Sequence, residues 1–207
     1  MTQGRFITIE GVEGVGKSTN IALVKSLLEA RGYEVLLTRE PGGTPTGERI
    51  REILLDKNEQ AMTAMTELLL VFAARSQHVS QVIMPALAAG QWVISDRFTD
   101  SSYAYQGGGR ELGIEIVAAL EAQVLADFRP DLTIVLDVDI ATGLERATRE
   151  AEADRFESEQ ASFFQRVRET FLTLAEADRY RVIDAGQPIE QVQVDLTEVI
   201  VEFIGSH

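Results

Sequence analysis

One nine-residue stretch, Gly11-Val12-Glu13-Gly14-Val15-Gly16-Lys17-Ser18-Thr19, constrains this chain more than any other. It fits G-x-x-x-x-G-K-[ST], a loop whose backbone N–H groups cradle phosphate. Glycines let the backbone turn tightly around an anion with its amides pointing inward. Such a loop needs a strand before it and a helix after it, and the flanks comply. Phe6-Ile7-Thr8-Ile9-Glu10 is apolar and β-branched, as a buried strand should be. Thr19 to Arg31 carries Ile21, Leu23, Val24, Leu27 and Leu28 at helical spacing. The helix would add free N–H groups and its positive dipole end. In this reading Lys17 reaches the β- and γ-phosphates of a nucleotide, and the Ser18 hydroxyl ligates Mg²⁺. The motif points to nucleotide phosphate; it leaves open what receives the phosphoryl group.

The remaining chain alternates short apolar runs with amphipathic ones. Strands are expected at Glu34–Thr38, Gln91–Ser95, Leu132–Asp137 and Tyr180–Asp184. Helices are expected over Thr46–Leu55 (with Thr46 as N-cap), Thr63–Ala89, Ile114–Ala126, Ile140–Thr148, Gln160–Asp178 and Ile189–Ile204. Gly32 and Gly90 read as helix terminators. Phe98 to Gly113, with three consecutive glycines at 107–109, reads as loop. Arg149 to Glu159 is charge-dense with few apolar anchors and reads as a mobile lid. The pattern predicts an α/β, three-layer fold carrying the P-loop: a five-stranded parallel sheet with helices on both faces, in a single domain spanning 1–207. Ligands on such sheets bind at the carboxyl ends of the strands. The P-loop, Arg39-Glu40, Asp96-Arg97, Asp137 and Ala185-Gly186 should therefore meet in one cleft.

Charge and composition narrow the function. The 207 residues contain no cysteine, which excludes disulfides, thiolate metal sites and thiol nucleophiles. A net charge of −14 argues against nucleic acid as a partner. Anionic nucleotides then require basic residues gathered locally. Only three of the nineteen basic residues are lysine, Lys17, Lys25 and Lys57; the rest are arginine, suited to bidentate phosphate contacts. No apolar run approaches membrane-spanning length, and the first strand begins almost at once, so no membrane contact and a cytoplasmic setting are expected.

Asp96-Arg97 at a strand end is the second chemical signal. Asp96 can hold Mg²⁺ and Arg97 can stabilise the moving phosphoryl group, although the same pair can be a plain surface ion pair. Arg146, Arg149 and Arg155 flank or lie in the lid, interleaved with acidic residues that would also suit a solvated helix end. Phe72 and Arg75 share a helix face and suit a nucleobase, or else a core ring beside a surface charge. His78, one turn on, reads as structural. On these residues alone the acceptor stays open among small-molecule P-loop kinases. A guanine-reading switch would need N-K-x-D, and no lysine here is followed two residues later by Asp. An assembled ATPase motor would draw an arginine from a neighbouring subunit.

Taken together, Gly11–Thr19, Thr38-Arg39-Glu40-Pro41-Gly42-Gly43-Thr44, Asp96-Arg97-Phe98, the Ser101–Gly107 run, Phe128-Arg129-Pro130-Asp131-Leu132-Thr133 and Asp154-Arg155-Phe156-Glu157 resemble the thymidylate kinases over nearly the whole chain. The Thr38–Thr44 and Ser101–Gly107 runs carry the specificity of that likeness. The resemblance implies ATP plus dTMP giving ADP plus dTDP, with Mg²⁺ held near Ser18 and Asp96. By position it implies that Gly11, Val12, Glu13, Gly14, Val15, Gly16, Lys17, Ser18 and Thr19, with Arg146, Gly186 and Gln187, bind ATP. Arg39, Glu40, Pro41, Arg51 and Arg97 would form the dTMP phosphate side. Phe72, Arg75, Ser102, Tyr105 and Gln106 would face the nucleoside. Many relatives place the stacking aromatic four residues before the arginine; here that slot is Val71. Lys17, Arg97, Glu13 and the lid arginines Arg149 and Arg155 would be catalytic, because an acidic P-loop residue such as Glu13 accompanies an arginine-bearing lid. A homodimer is also implied, and the apolar stretch at 63–89 carries more apolar surface than one sheet face needs.

Overall fold

The computed structural model describes residues 4–57, 62–150, 155, 156 and 159–205; the side chains of 148–150 lie outside that description. Five strands, β1 (Phe6–Glu10), β2 (Val35–Arg39), β3 (Trp92–Asp96), β4 (Leu132–Asp137) and β5 (Tyr180–Asp184), fall within a residue of their expected places. All pair in parallel, in the order β2-β3-β1-β4-β5. β1 is buried at every residue because it is the central strand, whereas β2 and β5 are half-exposed edges. The chain winds outward from β1 to β2, returns to β3, and only then crosses to β4. That reversal opens the crevice at the carboxyl end of β1 where such sheets hold ligands.

Alternation along β1 divides the molecule into two cores. Ile7 and Ile9 join Val24, Leu28 and Leu196 on the side covered by α1 (Lys17–Glu29) and α9 (Ile189–Gly205). Phe6 packs on the opposite side with Val79, Ile83 and Phe98. The same face carries a buried polar band. The Thr8 and Thr133 hydroxyls lie 2.9 Å apart across the β1–β4 pair, and Glu10 ends the row.

Several helical boundaries differ from expectation. Thr44, not Thr46, caps α2 (Pro45–Leu55): its hydroxyl accepts from the Gly47 N–H at 3.0 Å, and Pro45 takes the first helical position. Proline suits that position because its fixed φ is already helical and no N–H is wasted. The run expected at 63–89 divides into α3 (Ala64–His78), a π-helical turn (Val79–Ile83) and α4 (Met84–Ala88). Pro85 has no N–H for the carbonyl four residues back, so the helix widens just before it, and the Met84 N–H donates to Val79 O instead. Phe98 to Gly113 is mostly helical rather than loop: α5 (Thr99–Ser102) runs into a π-helical segment (Tyr103–Gly109), and α6 (Ile114–Leu125) follows.

The three glycines were misread as turn residues; they are close-packing residues. A Cβ on Gly108 would stand 2.1 Å from Thr170 Oγ1, and one on Gly109 would stand 2.5 Å from the Phe163 ring. Both neighbours belong to α8 (Ala161–Leu174), which presses against this segment. α7 (Ile140–Glu150) extends two residues beyond its expected end, into the segment read as a lid. The remainder of that segment, apart from Arg155, Phe156 and Glu159, lies outside the described residues.

Candidate active site

A cavity of about 350 Å³ opens at the carboxyl ends of β1, β2 and β3. Glu13, Gly14, Gly16, Lys17, Ser18 and Thr19 line it from the P-loop. Gly11, Val12 and Val15 stay behind the wall; both valines are buried in the core beneath α1. Gly14 has φ 72, and a Cβ there would fall 2.0 Å from the Gly143 carbonyl oxygen, so only glycine lets α7 seat on the loop. Lys17 Nζ donates to the loop carbonyls of Val12 (3.1 Å) and Gly11 (3.4 Å). Burial, with Arg97 close by, pulls its ammonium down to about 8.

Arg97 is the hub of the phosphate end. Its Nη1 donates to Gly11 O (2.9 Å) and Ser101 Oγ (3.0 Å), and its Nη2 donates to Glu13 Oε1 and Tyr105 OH at 3.0 Å each. Tyr105 in turn donates to Glu13 at 2.7 Å. Burial opposes the charge on Arg97, but Tyr105, Glu13, Asp96 and Glu10 outweigh it and hold the guanidinium above its ordinary range. The residue has φ 70, a left-handed conformation that costs a non-glycine residue roughly 1 kcal/mol. Hydrogen bonds on both sides fix it: Arg97 N–H to Ile9 O (3.0 Å), Ser95 Oγ to Arg97 O (2.7 Å) and Phe98 N–H to Glu10 Oε1 (2.7 Å).

The opposite end is built on α3. Arg75 is 1% exposed yet reaches the cavity wall. Its Nε donates to Glu40 Oε2 (2.6 Å), Nη1 to Ser102 Oγ (2.9 Å) and Nη2 to Phe98 O (3.0 Å). His78 is structural, bridging Thr38 Oγ1 (2.6 Å) and Glu40 Oε1 (2.9 Å). Gln106 donates its amide to Glu67 at 2.8 Å, and Arg51 donates to Pro41 O at 3.0 Å. Thus Glu40, Pro41, Arg51, Arg75, Arg97, Ser102, Tyr105 and Gln106 share one cavity with the P-loop.

Other expected residues stand elsewhere. Phe72 is not in the wall: it is buried with Leu68, Tyr103 and Val117, under the Arg75 guanidinium at 4.6 Å, and Val71 takes the wall position. Helical spacing put Phe72 and Arg75 on one face without showing which way that face turns. Arg39 is exposed and pairs with Glu48 at 2.9 Å, outside the cavity. Arg155 donates to Leu54 O (2.7 Å) and Glu67 Oε2 (2.6 Å); its neighbour Phe156, not Arg155, lines the cavity. The Arg149 side chain lies outside the described residues. Arg146 donates to Ala185 O at 2.8 Å, which ties α7 to the turn holding Gly186 and Gln187; none of the three lines this cavity. Asp137 is taken by Arg168 through two bonds of 2.6 and 2.8 Å.

Sequence reading missed Glu10, Glu67 and Ser101. Glu67, fully buried, gathers Gln106, Arg110 and Arg155. A carboxylate inside an apolar helical run was the available signal, since such a residue is buried only with partners.

Comparisons with known proteins agree with this geometry. A family model described as thymidylate kinase matches residues 9–196. The thymidylate kinase of Teredinibacter turnerae is 53% identical over 203 residues, covering 97% of this chain and 99% of its own length. That of Pseudomonas savastanoi pv. phaseolicola is 55% identical over 203 residues, covering 97% of each chain. That of Alkalilimnicola ehrlichii is 55% identical over 203 residues, covering 97% of this chain and 94% of its own. With a phosphate loop, a half-buried arginine hub and this similarity along nearly its full length, the chain belongs to the thymidylate kinase family.

Proposed function

We propose that the chain transfers the γ-phosphoryl group of ATP to dTMP, giving ADP and dTDP on the way to dTTP, within the cavity that joins Lys17 to Arg75. A dTMP phosphate oxygen forms the new bond to the γ-phosphorus as the bond to the β,γ-bridging oxygen breaks and ADP leaves with the electron pair. Lys17 and the P-loop amides, with Arg146, Gly186 and Gln187 nearby, hold the donor. Arg51 and Arg97 hold the acceptor phosphate, and Arg97 also meets the charge that develops in transfer. Arg155 is committed to Glu67, which leaves Arg149 as the lid arginine for the phosphates.

The donors and acceptors around Arg75 and Gln106 carry the choice of dTMP. Arg75 keeps one hydrogen on each terminal nitrogen after its three bonds. Glu67 accepts from the Gln106 amide nitrogen, so the amide oxygen remains for a ligand N–H. A donor beside an acceptor suits a carbonyl next to a ring N–H, the edge that thymine presents and cytosine inverts. Val71 supplies an apolar contact for the ring in place of an aromatic stack.

Mg²⁺ fits the phosphate end. Asp96 Oδ1 is buried without a hydrogen-bond partner among the described residues, and Ser18 lines the same cavity. An Mg²⁺ ion held by Ser18 and Asp96 would neutralise charge on the β- and γ-phosphate oxygens.

An assay of ADP release with Mg-ATP and a panel of dTMP, dUMP, dCMP, UMP, AMP, GMP and no acceptor tests this reading. dTMP is expected first, with dUMP lower by about 10–200-fold, because one methyl contributes little. dCMP is expected to fall by roughly 10⁴-fold, because it leaves buried polar groups unpaired. Preference for dCMP or a purine acceptor would refute the Arg75 and Gln106 assignments.

A homodimer is proposed on the outer face of α3. Met65, Leu69 and Ala73 are exposed at four-residue spacing, and Met84 is 54% exposed beyond the π-helical turn. Flat apolar stripes of this kind suit a second copy packed helix to helix. Light scattering should give twice the 22.8 kDa chain mass, and one chain mass after Leu69→Arg. A monomeric wild-type protein would refute it. No helix among the described residues is long and apolar enough to cross a membrane, and the cytoplasm, where ATP is available, is the proposed setting.

A further inference from the structure

We infer that Glu10 is a positioning residue for phosphoryl transfer, holding Arg97 from both sides through the Phe98 backbone and the Ser101 hydroxyl. This rests on the thymidylate kinase reading and on the role of Arg97 in it. Glu10 is fully buried at the carboxyl end of β1, directly before the P-loop. One carboxyl oxygen accepts from the Phe98 N–H at 2.7 Å, and the other lies 2.6 Å from Ser101 Oγ. Ser101 Oγ accepts from Arg97 Nη1 at 3.0 Å. A single side chain therefore grips the backbone just after the left-handed Arg97 and, through one hydroxyl, the tip of its guanidinium.

The surroundings set the form in which Glu10 acts. Asp100, equally buried, accepts from Arg179 (2.8 Å), Tyr180 (2.6 Å) and Thr133 (3.3 Å). Burial, with Asp100 beside it, pushes Glu10 up to about 8, against the pull of Ser101, Arg97 and the Phe98 amide. Both carboxyl oxygens accept, one from the Phe98 N–H and the other from the Ser101 hydroxyl, which itself accepts from Arg97. Glutamine keeps an oxygen for the Phe98 N–H and an amide within reach of Ser101; alanine removes both contacts.

The test compares wild type, Glu10→Ala, Glu10→Gln and Ser101→Ala with ATP and dTMP, recording kcat, both KM values and thermal stability. Glu10→Ala should lower kcat about 10–100-fold while KM for ATP stays within roughly threefold, because a misplaced catalytic group costs rate more than donor binding. Glu10→Gln should recover kcat to within about fivefold of wild type, since it restores both hydrogen bonds. Ser101→Ala keeps the Phe98 anchor and should lose an intermediate amount. Should Glu10→Ala fail to fold, Glu10→Gln and Ser101→Ala decide. Equal losses in Glu10→Gln and Glu10→Ala, or a Ser101→Ala kcat equal to wild type, would overturn the inference. Absence of dTMP turnover by the wild-type protein would instead sink the functional reading.

Discussion

Arg97→Ala is expected to lower kcat for dTMP phosphorylation by about 10³-fold or more, the range that an arginine contributes when it meets charge on a transferring phosphoryl group. The size follows from the geometry. The guanidinium is fixed by Gly11 O, Ser101, Glu13 and Tyr105 before any ligand arrives, so no reorganisation is needed during transfer. Its backbone is held in a left-handed conformation by bonds to the ends of two strands, β1 and β3. Arg97→Lys should recover only a small part of the loss, because an ammonium donates from one point and spans none of these four partners. Steady-state and single-turnover kinetics check this, with circular dichroism confirming that the fold persists. A loss below tenfold would remove Arg97 from the transition-state charge.

Lys17→Ala should have the second largest effect, a fall in kcat/KM for ATP of about 10²–10³-fold, the usual loss for one preorganised group at the reacting charge. Its ammonium rests on the carbonyls of Val12 and Gly11 within the curl of the P-loop. In the proposed reading it stands at the donor phosphates, while Arg75 and Gln106, which line the same cavity, hold the acceptor. Calorimetry should find dTMP binding nearly unchanged in Lys17→Ala and ATP binding weakened. Equal loss of both ligands would mean that the cavity had collapsed, and would contradict a role confined to the donor.

The strands and the phosphate loop were readable because local chemistry decides them. Runs such as Phe6–Glu10 and Leu132–Asp137 are β-branched, apolar and bounded by turn residues, and nothing distant competes. Gly107–Gly109 was unreadable for the opposite reason: Gly108 answers to Thr170 and Gly109 to Phe163, both far along the chain, and a turn needs the same residue. Phe72 against Val71 was a question of rotation about a helix axis, which the inward face of α3 decides through Leu68 and Val117. Arg155 looked like a phosphate ligand because its partner Glu67 lies 88 positions earlier. Buried carboxylates such as Glu10 and Glu67 are the hardest case, since their value depends on donors assembled from several elements.

The contact between Gly14 and Gly143 makes the phosphate loop and the root of α7 a single mechanical part. Where two backbones touch without side chains between them, no soft layer absorbs a displacement. A donor phosphate that draws the loop inward must draw the start of α7 with it, and Arg146 and Ala147 ride on that helix. In the proposed reading, the arrival of ATP is thereby felt along α7 through the main chain, with no side-chain relay required.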